Sequence, residues 1–526
     1  MNILPLALLA CIALHGETGG TLRLAIRSEP KTLDPLLVAD EPSELVRYLT
    51  HAPLIRMNRP RQAPEPALAE SWTISDAGRR VTLRLRRNVA FSDGSPFDAA
   101  DVCHTFLRLP ETNSPSAEPF HFAAGRLTCH AQGFTVILQF PAVLTGVERL
   151  FDAVPILSSR SSSKDRAGLG PFTIVENKAG AYIHLERNAH YWKRGADGRR
   201  LPYLHAVRLE MQRNRDLELI RFRRGELDLI HSLDAESFER LRAEAPGAVL
   251  NLGVSLDTEQ LWFNQAPAAA LPGYKKEWFR STAFRLAVSD AIRRADMVSV
   301  VYRGHAAPAF GPVSPSNRNW VNAAARQPSA GPAAALARLE KAGFQKRGDI
   351  LYDRAGNPVA FSLITNAGNK SRERLAAMVQ QDLAAIGIRV TIAPLDFPSL
   401  IERIAKSFEY DACLLGLVFD DPDPNAQKNV WVSSAAQHQW NPSQKSPGTP
   451  WEAELDRLMQ TVASSPDTGK RKQAFHRVQQ IAAEQAPFVY LVHRNALAAV
   501  SPRLRHTEPA ILRPQLLWNV EFLRIE

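Results

Sequence analysis

The chain has 526 residues, of which 45% are hydrophobic and 22% are charged. This balance is typical of a soluble globular protein of two or three domains, and it excludes wholesale disorder, a coiled coil and a polytopic membrane protein. The formal net charge is +10, but the basic residues occur in short, scattered clusters. We therefore expect no nucleic-acid-binding function, which would need a concentrated basic stripe or a known module.

The N-terminus reads as an export segment. Residues 1–14 form an almost wholly apolar run that is too short to span a bilayer and is typical of a secretory signal. We therefore predict that residues 1–20 are an export segment and that the mature protein is extracytoplasmic. Leu8-Leu9-Ala10-Cys11 resembles a bacterial lipobox, in which Cys11 is lipidated and anchors the protein; cleavage near residues 16–20 is the alternative.

The first part of the mature chain predicts a small α+β unit. Val81, Leu83 and Leu85 alternate with polar residues, which indicates a half-buried strand. Asp98 is a predicted N-cap with Asp101 in the first turn of the following helix. A second strand with the same alternation is predicted over residues 134–140.

Further along, strands are predicted over residues 171–175, 182–186 and 207–211, followed by a larger α/β unit over residues 261–485. In that unit a helical apolar stripe runs over residues 375–386, Gly387 ends it, and a strand follows at once. This helix-to-strand crossover is typical of mixed or parallel sheets.

The cysteines suggest one disulfide. Cys103 lies in the predicted helix and Cys129 near the start of a predicted strand. A bridge between them would close one loop and stabilise the fold by about 3 kcal/mol on loop-closure entropy. The sequence leaves open whether the two Cα atoms come within bridging distance. Cys413, in an apolar run, is predicted to be a buried hydrophobic residue.

A search for catalytic signatures finds no GxSxG, HExxH, Walker or GxGxxG motif and no metal-type cysteine or histidine spacing. We therefore expect no enzyme activity, no metal and no cofactor. One acidic cluster remains: a strand-like apolar run over residues 414–419 leads into Asp420-Asp421-Pro422-Asp423-Pro424. The prolines stop the strand. The cluster is interpreted either as a solvated turn or as a fixed carboxylate for a cationic ligand group.

Many short motifs then occur in an order that resembles one known family, the extracellular solute-binding proteins of family 5, which are oligopeptide- and dipeptide-binding receptors of ABC importers. The likeness covers essentially all of residues 21–502. It rests on SEPKTLDP (28–35), PALAESW (66–72), FSDGSPFDAADV (91–102), GPF (170–172), LERN (185–188), YW (191–192), GELD (225–228), FN (263–264), IGIRV (386–390) and APF (486–488).

The resemblance implies a mixed α/β (α+β) protein with the bilobal periplasmic-binding-protein fold of class II, cluster C, and no catalytic activity. It implies that a discontinuous lobe I comprises residues 21–50, 169–257 and 486–526. An extra small domain would comprise residues 51–168, and lobe III residues 258–485.

The resemblance also gives the acidic cluster a role. Peptide receptors of this family carry Gly-Trp-x-x-Asp followed by Asp-Pro, and that aspartate binds the peptide's α-ammonium. Gly416 and Asp420 match this pattern, whereas Leu417 replaces the tryptophan and is followed by Val418. A ligand-pairing strand on the opposite lobe would correspond to residues 39–41, that is Ala39, Asp40 and Glu41.

The implied function is that of a monomeric exported receptor, which binds a peptide in an interlobe cleft and delivers it to an ABC permease of the inner membrane by hinge closure. Within the same fold, the ligand could instead be a nickel chelate, haem, an oligosaccharide or an opine. A secreted hydrolase and a structural or chaperone-like surface protein are the more distant alternatives.

Overall fold

The computed structural model of the chain describes residues 19–112, 114, 116–121, 124–161, 167–325, 331–419 and 421–526. Three predictions lie outside these residues: the export segment up to residue 18, the lipidation of Cys11 and the anchoring role of Asp420. The described chain is a mixed α/β protein, built around a sheet of eleven strands and a sheet of four, with three further two-stranded sheets among the described residues.

The part of the chain before residue 153 forms short strands and helices at positions that the local sequence dictates. Val81, Leu83 and Leu85 are at most 1% exposed and form the inner face of a strand. Asp98 accepts a hydrogen bond from the Ala100 amide at 2.8 Å, and Asp101 accepts one from the Asp98 amide at 2.8 Å, which confirms the predicted helix start. The elements are β1 (Thr21–Ile26), α1 (Glu41–Thr50), β2 (Ile55–Asn58), β3 (Ala63–Pro66), β4 (Ala69–Ser75), β5 (Arg80–Leu85), α2 (Ala99–Arg108), β6 (Thr128–Gln132), β7 (Thr135–Gln139) and α3 (Val147–Asp152).

The central part of the chain returns to the large sheet, and the strands predicted there are confirmed as β8 to β10. The elements are β8 (Phe172–Lys178), β9 (Tyr182–Arg187), β10 (Ala206–Met211), α4 (Arg215–Arg223), β11 (Leu229–Ile230), α5 (Ala235–Glu244) and β12 (Val249–Phe263).

The remaining part contains the predicted α/β unit. Gly387 ends the helix over residues 370–385 with a φ of +84°, and a Cβ there would lie 2.7 Å from the Leu351 amide nitrogen, so both backbone angle and space favour glycine. The elements are α6 (Gly273–Arg280), α7 (Thr282–Ala291), α8 (Arg294–Val300), β13 (Ala306–Pro308), α9 (Pro332–Lys341), β14 (Gln345–Arg347), β15 (Ile350–Tyr352), β16 (Ala360–Asn366), α10 (Lys370–Ala385), β17 (Arg389–Leu395), α11 (Phe397–Glu402), β18 (Ala412–Leu417), α12 (Lys428–Trp431), α13 (Pro450–Ser464), α14 (Thr468–Gln485), β19 (Phe488–Val500), β20 (Leu504–Arg505) and β21 (Arg524–Ile525).

The large sheet has the strand order β17-β16-β18-β12-β19-β11-β1-β10-β9-β8, with β13 paired to β19. Its two longest strands, β12 and β19, lie antiparallel in the middle and connect one half of the sheet to the other. Their register shifts at three places, between residues 251 and 253, 254 and 258, and 259 and 260. Such irregularities bend and twist a strand pair, so the sheet changes direction where these two strands cross.

The apolar side chains form separate cores on the two sides of this crossing. One core combines residues from 22–49, 172–229 and 498–523, and a pair of cores lies within residues 261–492. A further core lies almost wholly within residues 52–169, around the four-stranded antiparallel sheet β4-β5-β7-β6. The molecule is therefore bilobal, with a smaller third unit.

Two cysteine predictions fall on described residues. Cys103 on α2 and Cys129 on β6 form a disulfide, with their Cα atoms 5.4 Å apart, and so tie the helix of the small unit to its sheet. Cys413 on β18 is a free cysteine with no exposed surface, as predicted.

Candidate ligand-binding cleft

A cavity of about 710 Å³ lies where the two lobes and the small unit meet. Its volume falls within the usual range for small-molecule sites. The lining comes from the segment after β1 and the start of α1, from α3 of the small unit, from the loop after β18, and from a C-terminal loop. The residues that carry the argument below are Ala39, Asp40, Glu41, Arg149, Val418 and Asp421.

The wall formed by residues 39–41 differs from the prediction. These residues form no strand: Asp40 is the N-cap of α1, and its carboxylate accepts from the Ser43 amide at 3.1 Å and the Ser43 hydroxyl at 2.7 Å. The cause is local, because an N-cap aspartate followed by Pro42 and acidic residues starts a helix. Ala39 and Asp40 therefore line the cavity as the segment that leads into the helix, and the backbone of Asp40 is extended.

Glu41, at the first turn of α1, lines the same wall and is held by a histidine. The His231 ring nitrogen Nε2 lies 3.3 Å from Glu41 Oε1. This hydrogen bond lowers the pKa of Glu41 to about 2, against the opposing effect of burial. Glu41 is therefore an anion in the cavity at neutral pH, with a hydrogen-bonding partner from the strand end at β11.

The opposite wall is the end of β18, which pairs with β12 through Gly416 to Glu259 and Leu417 to Thr258. Val418 directly after it is 51% exposed and lines the cavity. Leu417 does not line this cavity; it packs against the apolar core of its own lobe. Val418 thus lines the cleft, whereas Leu417, at the position of the tryptophan in the resemblance described above, packs against the core.

Gly416 also lies outside the cavity lining, and its lack of a side chain has a local cause. A Cβ at this position would lie 2.4 Å from Arg372 Nη2 and 2.9 Å from both carboxylate oxygens of Glu259. Arg372 Nε donates to Glu259 Oε2 at 2.8 Å, and Glu259 is 2% exposed. A Cβ at residue 416 would therefore displace the charged ends of this buried ion pair.

The acidic cluster after β18 is held by two arginines that the sequence did not reveal. Arg149 Nη1 on α3 donates to Asp421 Oδ1 at 2.6 Å, and Arg471 Nη2 on α14 donates to Asp423 Oδ1 at 2.6 Å. Asp421 and its partner both line the cavity, whereas the Asp423 pair is buried in the lobe. Because Arg149 is 272 residues away in sequence from Asp421, no local motif could have predicted this pairing.

Residues 63–439 match the family described as "Bacterial extracellular solute-binding proteins, family 5 Middle". The chain belongs to family 5 of the bacterial extracellular solute-binding proteins. The match spans more than half of the chain and includes β18 and the wall of the cavity that it forms.

Relatives of this family 5 protein are similar to it over nearly the whole chain. A probable ABC transporter-binding protein of Deinococcus radiodurans is 24% identical over 93% of this chain and 89% of its own length. The oligopeptide-binding protein AppA of Bacillus subtilis is 25% identical over 93% and 89%, respectively. The structure of AppA from Bacillus subtilis with a nonapeptide matches with a TM-score of 0.74 at 23% identity, over 97% of this chain and 99% of that one. NikA from Brucella suis, in complex with Fe(III)-EDTA, matches with a TM-score of 0.81 at 22% identity, over 96% and 100%. These structural likenesses show the bilobal periplasmic-binding-protein fold.

In this family 5 protein a second, smaller pocket of about 310 Å³ adjoins the main cavity. The two share lining residues, among them Arg27, Arg215, His231 and Arg513. The smaller pocket, here called the floor pocket, lies over the crossing strands, because Asp257 and Glu259 of β12 and Arg494 of β19 line it. The cleft therefore extends from the mouth down to the strands that connect the lobes.

Two kinds of structural feature are absent from the described residues. No group of three or more His, Cys, Asp or Glu within them is placed to hold a metal ion. None of the helices formed by these residues is both long and apolar enough to cross a membrane.

Proposed function

We propose that this family 5 receptor binds peptides in the cleft between its lobes and delivers them to an ABC permease. The observation that carries the proposal is the position of the main cavity. It is lined on one side by Ala39 and the extended backbone of Asp40, and on the other by Val418 directly after β18. An extended peptide between these walls has backbone on both sides to pair with, and main-chain pairing tolerates varied side chains.

The lobes that close on the ligand are, in this proposal, residues 21–50, 169–257 and 486–526 for lobe I and residues 258–485 for lobe III. Residues 51–168 form the extra small domain. The separate apolar cores support these bounds, and the irregular pairing of β12 and β19 supports a hinge at the crossing. A ligand favours the closed arrangement only through contacts that the open one lacks, and a cleft lined by both lobes provides them.

Asp420 is the proposed anchor for the peptide's α-ammonium. The flanking residues support this role, since Phe419 lines the floor pocket and Asp421 lines the main cavity. Loss of one partner of a buried charge pair leaves the other uncompensated, at a cost of about 3–5 kcal/mol. We therefore expect Asp420→Ala to weaken the binding of tri-alanine at least tenfold in a calorimetric titration.

The control for this experiment is Asp349→Ala, which removes an exposed carboxylate in the turn between β14 and β15. N-acetyl tri-alanine has no ammonium group, so its affinity should be low for the wild type and unchanged by the substitution at Asp420. An equal loss of affinity for the free and the acetylated peptide would show that Asp420 acts on something other than the ammonium group.

The solute itself is best identified by native mass spectrometry of the protein as purified. A ladder of bound masses that fragments into short peptides is the expected result. A bound nickel chelate, haem, oligosaccharide or opine would overturn the peptide assignment and leave the receptor fold in place. Hydrolysis of an added peptide would point to an enzyme.

Export and membrane delivery complete the proposal. The apolar run over residues 1–14 supports export as an extracytoplasmic, periplasmic protein, and Cys11 is the candidate for a lipid anchor. The receptor would act as a monomer on an inner-membrane permease. Intact-mass analysis of the mature protein from its host tests the lipid anchor, because lipidation makes Cys11 the first residue and adds the mass of the acyl chains.

A further inference from the structure

The walls of the floor pocket carry many hydrogen-bond donors. Four arginines line it, Arg27, Arg215, Arg494 and Arg513, against three carboxylates. Those carboxylates are Asp234, Asp257 and Glu259, and the titratable side chains His231, His305 and Tyr302 also line the pocket. Cationic groups therefore outnumber anionic groups on the walls.

The carboxylates of the floor pocket are already engaged by the protein. Asp257 accepts from Arg494 at 2.9 Å and lies 3.3 Å from Arg513. Glu259 accepts from Arg372 at 2.8 Å, as described above. Asp234 is the N-cap of α5 and accepts from the Ser237 amide and hydroxyl, both at 2.8 Å. Each wall carboxylate thus has its own donors, and none needs a cationic ligand.

Several donors, in contrast, lack a hydrogen-bond acceptor among the described residues. The hydroxyl of Tyr302 has none, although the residue is only 5% exposed. The Nε atoms of Arg215 and Arg494 also make no hydrogen bond, and the nearest carboxylates lie 3.7 and 3.5 Å away. A buried polar group without a partner is costly, so such donors mark a place where a ligand acceptor completes the bonding.

Arg27 adds a charge at the mouth of the pocket. It follows β1, its side chain is 50% exposed, and it lies 3.5 Å from the Glu218 carboxylate. Glu218 is better satisfied by Arg215, which lies 2.6 Å away. The positive end of Arg27 is therefore available to a second anion where the floor pocket opens into the main cavity.

We infer that the floor pocket binds a carboxylate of the ligand, with the Tyr302 hydroxyl as a hydrogen-bond donor and Arg27 and Arg215 as the cationic partners. Hydrogen bonds to a charged group are among the stronger ones, and this arrangement supplies them from both lobes. The inference rests on the proposed function, and it adds the chemistry of one ligand group and the residues that select it.

The test uses three peptides and the full-length protein in calorimetric titrations. The probes are tri-alanine, tri-alanine amide, and Ala-Glu-Ala amide. If the pocket binds the C-terminal carboxylate, the wild type binds tri-alanine roughly tenfold or more tighter than its amide. If it binds an acidic side chain, Ala-Glu-Ala amide is the tight ligand. Either preference supports a carboxylate site, and equal affinity for all three peptides overturns it.

Tyr302→Phe then tests whether the preference for a carboxylate peptide arises in the floor pocket. Because the hydroxyl has no partner in the protein, its removal should leave the melting temperature of the unliganded protein unchanged or higher. The same variant should lose most of the preference for the carboxylate peptide. Tyr274→Phe, on the exposed side of α6, is the matched control and should alter neither quantity.

Arg27→Gln is the second variant, since an exposed arginine is replaced without risk to folding. It should reduce the affinity for the carboxylate peptide more than the affinity for tri-alanine amide. An undiminished preference in both variants would refute the assignment to this pocket. Absence of binding by the wild type to every peptide would instead refute the proposed peptide function, and this inference with it.

Discussion

Arg149 on the small domain and Asp421 on the opposite lobe form an ion pair at 2.6 Å across the mouth of the cleft. Neighbouring contacts strengthen the same junction: Asn425 donates to the Thr145 hydroxyl at 2.8 Å, and that hydroxyl donates to the Ala463 carbonyl at 3.0 Å. The small domain is therefore bonded to lobe III at this edge, and these bonds must break for the cleft to open here.

Replacement of this arginine should shift the receptor towards open forms. Asp421 is 36% exposed, so solvent screens the pair, and we expect it to stabilise the closed arrangement by no more than about 1 kcal/mol. Arg149→Gln should therefore increase the radius of gyration of the unliganded protein in X-ray scattering and weaken peptide binding roughly two- to fivefold.

The matched control is Arg79→Gln, which breaks the exposed Arg79–Asp76 pair within the small domain. It should leave both the scattering profile and the affinity unchanged. A radius of gyration that is the same in Arg149→Gln and the wild type would show that this ion pair has no part in holding the cleft closed.

Glu521 is predicted to be a major contributor to stability. The residue is 2% exposed, and its Oε1 atom lies 2.6 Å from both Arg56 Nη1 and Lys193 Nζ. Glu521→Gln removes the carboxylate that Lys193 and Arg56 share, although Arg56 keeps its pair with Glu65 at 2.6 Å. The loss of this buried charge should lower the free energy of unfolding by about 3–5 kcal/mol. Urea denaturation at pH 7 measures this loss. Glu526→Gln, which breaks the exposed pair with Arg505, should cost less than about 1 kcal/mol.

The contribution of Glu521 should also depend on pH in one direction. Burial alone would raise the pKa of Glu521, but Arg56 and Lys193 outweigh burial and hold the pKa at about 2. A carboxyl whose pKa is depressed on folding stabilises the protein above its unfolded pKa of about 4.3, and this contribution is lost as the pH falls towards the folded value.

The difference in unfolding free energy between the wild type and Glu521→Gln should therefore be constant above about pH 5 and shrink progressively below about pH 4.3. Urea titrations of both proteins between pH 6 and pH 3 provide the measurement. A difference that stays constant, or that grows on acidification, would mean that the carboxyl is not held ionised by its two cations.

A side chain at residue 416 should destabilise the protein, for a reason unrelated to ligand contact. Gly416→Ala forces Arg372 and the buried Glu259 apart, and we expect a loss of about 1–3 kcal/mol in stability. Gly273→Ala, at the start of α6 with no atom within 4 Å of the new Cβ, is the control and should be nearly neutral. If both variants unfold at the same urea concentration as the wild type, the glycine is not required by the ion pair.

Local signals in the sequence predicted the elements well. The cap at Asp98, the apolar stripe of α10 and the stop at Gly387 depend on neighbours within a few residues, and all three are confirmed. Leu83 and its alternating neighbours likewise identified a strand face, because the period of two fixes which side chains are buried.

The walls of the site were harder to predict. The segment at Asp40 was expected to be a strand by analogy with the family, although Asp40, Pro42 and Ser43 carry a helix-start signal that the analogy overrode. Arg149, Arg372 and Glu521 could not be assigned roles, because the charged partners Asp421, Glu259 and Arg56 lie 113 or more residues away and are brought close by the fold alone.

The central claim is that the two lobes close on a peptide. X-ray scattering of the protein with and without saturating alanine peptides of two to nine residues tests it most directly. We predict a smaller radius of gyration in the presence of at least one of these peptides, and a return to the original profile after the peptide is removed. Profiles that superimpose with every peptide would contradict the account.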